Sequence, residues 1–319
     1  RMKWTKLGRI FDPTDFALPN GCEEFAQSPQ ALVFDDCVRI YFSSRQRDPR
    51  NGKYLSHICF ADFDKTFQRV LRVSDAPVIP LGKLGCFDEH GIFPMNVLRH
   101  EGKIFGYTSG WTRRVSVSVD TGIGLAFSDD DGLTFNKTGD GPVLTASLHE
   151  PCLVGDPFVQ VHEGVFHMWY IFGTGWKRFA EDQPPDRIYK IGHATSHDGA
   201  AWTKDEGVQI IADRLHADES QALPTVVRIG SRFHMLFCYR ESSDFRTSAG
   251  RGYRLGYAWS DDLQVWTRDD ADVGIDVSAG EWDADMLCYP HLFQCDGKVY
   301  LLYNGNEFGR RGFGIAVLE

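Results

Sequence analysis

The chain repeats itself, and the repeat leaves few architectures open. Prolines stand at positions 29, 94, 157, 224 and 290, spaced by 65, 63, 67 and 66 residues. Each opens the same pattern: a short β-branched and aromatic run, a polar turn, and a returning apolar run. The third copy is the clearest. Pro157-Phe158-Val159-Gln160-Val161 reads as a strand, His162-Glu163-Gly164 as a turn, and Phe166-His167-Met168-Trp169-Tyr170 as the returning strand. Proline suits the start of such a strand, where no N–H is needed for the ladder.

A second pattern follows each hairpin. Ile123 to Ser128, Ile191 to Ser196 and Leu255 to Ser260 read as third strands, each ending in Ser-x-Asp (Ser128-Asp129-Asp130, Ser196-His197-Asp198, Ser260-Asp261-Asp262). Short polar side chains there cap the N–H groups of a turn, so these aspartates are read as structural. Outer strands carry an aromatic-x-basic signature: Phe67-Gln68-Arg69, Phe135-Asn136-Lys137, Trp202-Thr203-Lys204 and Trp266-Thr267-Arg268. The fifth repeat lacks one, but the N-terminus supplies Trp4-Thr5-Lys6. The expectation is an all-β chain forming a five-bladed β-propeller, four antiparallel strands per blade. Its N-terminal strand closes the last blade beside Gly314-Ile315-Ala316-Val317, leaving only short protected edges. The repeat spans nearly everything without a linker-like interruption, so residues 1–319 are expected to be one domain.

Composition narrows the function classes. With 42% hydrophobic and 13% aromatic residues the chain has ample material for a core. No apolar run approaches the roughly 18 residues of a membrane span. A net charge of −10 argues against nucleic acid as the partner. The eight cysteines show no CxxC spacing, and there is no apolar leader, which together lead to an expectation of a reducing cytoplasm. Neither a metal nor an organic cofactor is expected: no HExxH, Gly-rich phosphate loop or Ser-His-Asp order appears.

Charge is distributed unevenly. The loops joining second to third strands, residues 45–56, 112–122, 173–189, 240–254 and 304–311, hold fifteen Lys/Arg against eight Asp/Glu. Arg45, Arg240 and Arg310 are among them, and arginine offers a bidentate fork to phosphate or carboxylate. The loops opening the first strands lie at the same face and are acidic: Asp88-Glu89-His90, His149-Glu150, Asp218-Glu219, and Asp283 with Asp285. Two readings stand side by side, ion pairing across the face or proton handling by the carboxylates with arginines holding an anion. Asp88 supplies a base at the channel mouth or belongs to a polar loop, and His90 is a substrate contact beside it. His291 is a channel ligand or an inner-strand histidine. Trp111, Trp176 and Tyr239 end second strands, where they stack on sugar rings or pack in the core.

Five repeats, Asp156-Pro157 opening the third, Ser-x-Asp turns, and Tyr303-Asn304-Gly305-Asn306 near the end resemble the five-bladed glycosidase superfamily of glycoside hydrolase families 43, 32, 68 and 130. The resemblance covers essentially the whole chain. The family 43 pattern places a base before the first-blade proline, a pKa-tuning aspartate before the third, and an acid near the start of blade four. Carried over, Asp156 matches the third-blade aspartate, and Glu219 is the candidate acid, though it stands five residues before Pro224 instead of two. Ser28 occupies the position of the base. A missing base counts against ordinary hydrolysis, which needs two carboxyl groups flanking the bond.

The resemblance and the basic loops together imply a carbohydrate-active enzyme performing glycosyl transfer or phosphorolysis on a sugar, sugar-phosphate or nucleotide-sugar substrate. A conventional glycosidase and a non-catalytic sugar-binding propeller are the alternatives. Asp156, Glu219 and Asp88 are the candidate catalytic residues, with Glu219 and Asp156 expected to form a coupled pair. Arg45, His90, Trp111, Arg240, Asp285, Asn306 and Arg310 are the candidate substrate contacts.

Overall fold

The computed structural model describes residues 1–319 and is all-β. Strand β1 (Trp4–Phe11) is followed by β2 (Glu24–Val33), β3 (Val38–Arg47), β4 (Tyr54–Phe63) and β5 (Val70–Val73). Next come β6 (Gly91–His100), β7 (Lys103–Arg113), β8 (Val119–Ser128) and β9 (Asn136–Lys137), then β10 (Cys152–His162), β11 (Val165–Lys177), β12 (Asp186–Ser196) and β13 (Thr203–Lys204). The chain continues through β14 (Ser220–Ile229), β15 (Arg232–Arg240), β16 (Arg254–Ser260) and β17 (Thr267–Arg268), and ends with β18 (Cys288–Cys295), β19 (Lys298–Asn304) and β20 (Phe313–Leu318).

Neighbours in each group pair antiparallel, giving separate sheets β10 to β13 and β14 to β17. The groups β2 to β5 and β6 to β9 are joined edge to edge by one parallel pair, Ser56 with Gly91. The last sheet runs β1-β20-β19-β18, with Trp4 opposite Leu318 and Lys6 opposite Ala316, so the N-terminal strand completes it as its signature implied. Trp4 is buried in the largest apolar cluster. No helix is long and apolar enough to cross a membrane.

The Ser-x-Asp turns are structural. Ser128 Oγ accepts from Gly132 N (2.8 Å) and Asp130 from Thr134 N (2.9 Å); Ser196 with Asp198 and Ser260 with Asp262 repeat the arrangement.

The first strands of the groups, β2, β6, β10, β14 and β18, contact one another in order, and β18 also contacts β2. Side chains tie them together. Asn96 donates to Gln30 Oε1 (2.8 Å) and accepts from Val159 N (2.9 Å), Thr225 Oγ accepts from Leu292 N (2.9 Å), and His291 Nε2 accepts from Ala31 N (3.1 Å). Burial pushes the His291 pKa down to about 3, so the ring is a neutral acceptor. It is the inner-strand histidine of the two readings.

Each of these five strands breaks its ladder at the repeated proline, with register shifts spanning Gln27 to Gln30, Ile92 to Met95, Gly155 to Phe158, Ala222 to Thr225 and Cys288 to His291. The residues before four of those prolines, Ser28, Asp156, Leu223 and Tyr289, have φ of 51, 51, 48 and 54°. Such left-handed backbone costs a non-glycine residue about 1–3 kcal/mol. It recurs because a proline has no N–H to give the ladder, and the bulge that accommodates it re-aims the preceding side chain. That re-aimed position builds the site.

Candidate active site

A cavity of about 640 Å³ opens at the ends of the first strands. Four residues preceding the repeated prolines line it: Phe93, Asp156, Leu223 and Tyr289. At the fifth such position Ser28 is buried, and its neighbour Gln27 faces the cavity instead. The walls come from the hairpins between second and third strands. These strands run further than the sequence suggests, so Arg45, Arg113, Arg187 and Arg240 sit on strand ends, not in loops, and Trp111 lies in β7 beside them. Ladder hydrogen bonds therefore hold the wall residues, which favours a preorganised site. Gly91 makes room for one of them, since a Cβ there would lie 2.1 Å from Trp111 Nε1.

The lining is charged in one sense. Arg45, Lys53, Arg113, Arg114, Arg187, Arg240 and Arg246 face the cavity, and Asp156 is its one carboxylate. Arg114 is paired with Asp120 (3.2 Å) and Arg246 with Asp186 (2.9 Å). The other five cations have no carboxylate in ion-pair reach. Arg240 is 1% exposed, yet it is held by neutral groups: its Nη2 donates to Tyr189 Oη (2.9 Å), its Nη1 to the Glu241 carbonyl (3.1 Å), and Phe245 lies 3.6 Å beneath it. Its Nε has no partner. Tyr189 and Tyr253 share a hydrogen bond between their hydroxyls beside it.

Asp156 is 7% exposed. Its Oδ2 accepts from Leu223 N (3.3 Å), and its own N–H is received by Ser109 Oγ (3.1 Å). Burial raises its pKa from 3.8 to about 7, against the smaller opposing pull of the Leu223 N–H and the Arg187 charge. A carboxyl poised there gives or takes a proton near neutrality.

The expected pair of Asp156 with Glu219 is not formed. Glu219 lies outside the cavity lining and is fully buried against Arg268 (2.7 Å), while its Oε1 accepts from Arg214 N (3.2 Å) and Leu215 N (3.1 Å). Asp88 likewise lies away from the cavity, buried against Lys137 at 2.7 Å. The reason is a motif that repeats in four sheets. The carboxylate opening the first strand pairs with the basic residue of the aromatic-x-basic outer strand: Asp88 with Lys137, Glu150 with Lys204 (2.9 Å), Glu219 with Arg268, and Asp283 with Lys6 (2.6 Å). All four carboxylates are at most 1% exposed. The acidic loops thus make ion pairs, four of them with their own sheets' outer strands, while Asp218 pairs across the face with Lys177 of a basic hairpin (2.7 Å).

Of the expected substrate contacts, Arg45, Trp111 and Arg240 line the cavity. His90 stands behind the wall, its Nδ1 accepting from Arg113 N (3.1 Å), and burial followed by the Arg113 charge lowers its pKa. Arg310 faces Glu24 at 2.5 Å and lies outside the lining. Asp285 is exposed, and Asn306 Oδ1 accepts from its N–H (2.8 Å), so this pair braces a turn away from the lining. Trp176 packs partly buried against the core, and Tyr239 accepts from Arg214 (2.5 Å); neither lines the cavity. Arg187, Tyr189, Tyr253 and Phe308 were not singled out in the sequence. The register of the repeat could have found Phe93, Leu223 and Tyr289, which share the position of Asp156.

No protein-family model matches the chain. Two Mycobacterium tuberculosis proteins do: Uncharacterized protein Rv1502 (strain ATCC 25618 / H37Rv) and Uncharacterized protein MT1551 (strain CDC 1551 / Oshkosh), each 33% identical over 326 residues, covering 100% of both chains. Among solved structures, a "Glycoside hydrolase" superposes with a TM-score of 0.73 at 16% identity, the match covering 98% of this chain and 92% of the other. A thermostable family-43 glycoside hydrolase superposes with 0.64 at 14% identity, covering 94% and 90%. A protein from work on the GH130 family of mannoside phosphorylases and glycoside hydrolases superposes with 0.67 at 13% identity, covering 99% and 93%. At such identities these likenesses concern the fold. The chain belongs to the family of Rv1502 and MT1551, and its fold is like that of the solved glycosidase-like propellers.

Proposed function

We propose that residues 1–319 form one five-bladed propeller domain that makes or breaks a glycosidic bond by glycosyl transfer or phosphorolysis, using a phosphate-bearing sugar. The observation carrying this reading is the cavity's charge: five cations without carboxylate partners around a single carboxyl group. Conventional hydrolysis needs a second carboxyl group across the bond, about 5 Å away for retention or 6.5–9.5 Å for inversion. Phosphate removes that need because it is itself the nucleophile or the leaving group. The likeness in fold to a protein named as a glycoside hydrolase and to one from work on the GH130 family of mannoside phosphorylases supports a carbohydrate substrate.

Asp156 handles the proton. In the degradative direction a phosphate oxygen, held by Arg240 and Arg187, attacks the anomeric carbon. The bond from that carbon to the glycosidic oxygen breaks, and the departing oxygen takes the Asp156 proton, directly or through a sugar hydroxyl. In the synthetic direction the Asp156 carboxylate receives the acceptor's hydroxyl proton as phosphate leaves. One carboxyl with a pKa near 7 serves both directions. Tyr289 offers a face for a sugar ring.

The test pairs ligand-induced thermal stabilisation with turnover. Sugar 1-phosphates and nucleotide sugars are expected to raise the melting temperature and to release phosphate or nucleotide with an oligosaccharide acceptor. Cleavage of oligosaccharides at an undiminished rate without phosphate would establish hydrolysis instead. Stabilisation by sugars with no turnover in either direction would establish the binding propeller.

A further inference from the structure

The carboxylate-free arginines come from different strand groups: Arg187 from β12, whose charge acts on Asp156, and Arg240 from β15, against Arg45 from β3 and Arg113 from β7. The second group stands around Tyr54. Arg45 lies 3.9 Å over the Phe25 ring and 5.1 Å over Tyr54, and its guanidinium makes neither a hydrogen bond nor an ion pair. Arg45 lines the cavity. Arg113 Nη2 donates to the carbonyl oxygen of the same Tyr54, and its guanidinium sits 5.7 Å from the Trp111 ring. Both arginines are fixed by aromatic faces and a carbonyl, which hold a guanidinium in place without neutralising it. Elsewhere, in four sheets, the chain neutralises part-buried cations with fully buried carboxylates. The exception is confined to the cavity.

The wall is also unsuited to stacking a sugar or a base. Arg45 covers Phe25, and Arg45 and Arg47 (4.4 Å) both lie against Tyr54. What it presents to a ligand is a set of unused N–H donors, which fit an oxyanion bidentately.

We propose that Arg45 and Arg113 form a second anion subsite, so that the substrate is a sugar phosphate bearing a further phosphoryl or carboxylate group away from the reacting phosphate. This rests on the reading of the Asp156 wall as the site of the reacting phosphate. It adds that charge recognition occurs at two walls, and it assigns specificity to Arg45.

Calorimetric titration with glucose 1-phosphate, glucose 1,6-bisphosphate and glucuronic acid 1-phosphate tests the inference, with inorganic phosphate as the sugar-free control. A ligand spanning both subsites gains a second, effectively intramolecular contact and is expected to bind at least tenfold more tightly than glucose 1-phosphate. The arm showing the gain identifies the second group as phosphoryl or carboxylate. In the Arg45→Met/Arg113→Met double variant the gain is expected to vanish, so that one-anion and two-anion ligands bind alike. Arg45→Lys, which keeps the charge without the fork, controls for misfolding and retains part of the gain. Equal affinity for one-anion and two-anion ligands, with binding abolished by Arg240→Met, overturns the second subsite and leaves the proposed reaction standing. No binding of any of them, inorganic phosphate included, overturns both.

Discussion

Replacing Asp156 with Asn separates stability from chemistry. The folded-state pKa of about 7 lies above the ordinary 3.8, so the native state holds a proton that the unfolded chain has released throughout the window between them. Stability therefore falls as pH rises through that window, and the cost of ionising Asp156 in place is fully expressed above pH 7. At 1.36 kcal/mol per pH unit the full cost is about 4 kcal/mol, an upper figure because the cavity admits water. Asparagine stays neutral at every pH and accepts the Leu223 N–H through its own oxygen. The Asn variant should thus be more stable than the parent, by about 1.5 kcal/mol at pH 5 and up to about 4 kcal/mol at pH 8. For 319 residues the unfolding entropy is about 0.7 kcal/mol/K. The gain in melting temperature should accordingly grow from about 2 °C to about 6 °C over that range. Scanning calorimetry of both proteins from pH 4 to 8 measures it. Turnover should move the other way, dropping roughly 10²–10⁴-fold with loss of the proton donor. A melting-temperature difference that stays flat with pH, or a variant less stable than the parent at pH 8, would refute the claim that Asp156 carries an uncompensated burial cost.

The repeated ion pairs predict a ranking. Glu150→Gln leaves the part-buried Lys204 without a carboxylate and should lose about 3 kcal/mol in urea denaturation, whereas Glu219→Gln should lose about 2 kcal/mol, since Arg268 keeps Asp270 at 2.9 Å. Neither should alter the pH dependence of phosphate binding; a shifted profile in Glu219→Gln would return that residue to the chemistry. Deleting residues 1–8 removes the strand paired with β20 and the buried Trp4, and should lower stability by more than the roughly 3–5 kcal/mol of one large aromatic side chain. An unchanged melting temperature would sink the view that the N-terminal strand completes its sheet. Phosphate affinity measured between 50 and 500 mM salt should fall at the partly exposed Arg45 wall, where screening acts, more than at fully buried Arg240. That difference is read by comparing the Arg45→Met and Arg240→Met variants.

How legible the protein was in its sequence depended on the range of the information. Strand pattern, turn chemistry and the Trp4-Thr5-Lys6 match are local properties with a fixed period, and from them the four-strand groups and the role of β1 followed. Asp156 was legible for the same reason, because its position before Pro157 recurs in every group. Glu219 and Asp88 were misplaced because both halves of their ion pairs were visible as motifs but lie 49 residues apart in each case. Sequence gives the period of each motif and does not say that the outer strand's basic residue folds under the carboxylate opening the inner one.

The sequence by itself determined the all-β repeat, the closing strand, and the concentration of arginine on one set of hairpins. Only the tertiary structure decided which charges remain uncompensated. Arg310 and Arg45 look alike in the chain, yet one is neutralised by Glu24 and the other lies bare against Phe25 and Tyr54. Asp156 and Glu219 differ in the same way, one buried without a cation in ion-pair reach and the other buried against Arg268. Residue type sets whether a side chain can carry charge. Burial and the partner delivered by a distant strand set whether that charge is stable, neutralised or left free to meet a substrate, and those are properties of the packed protein.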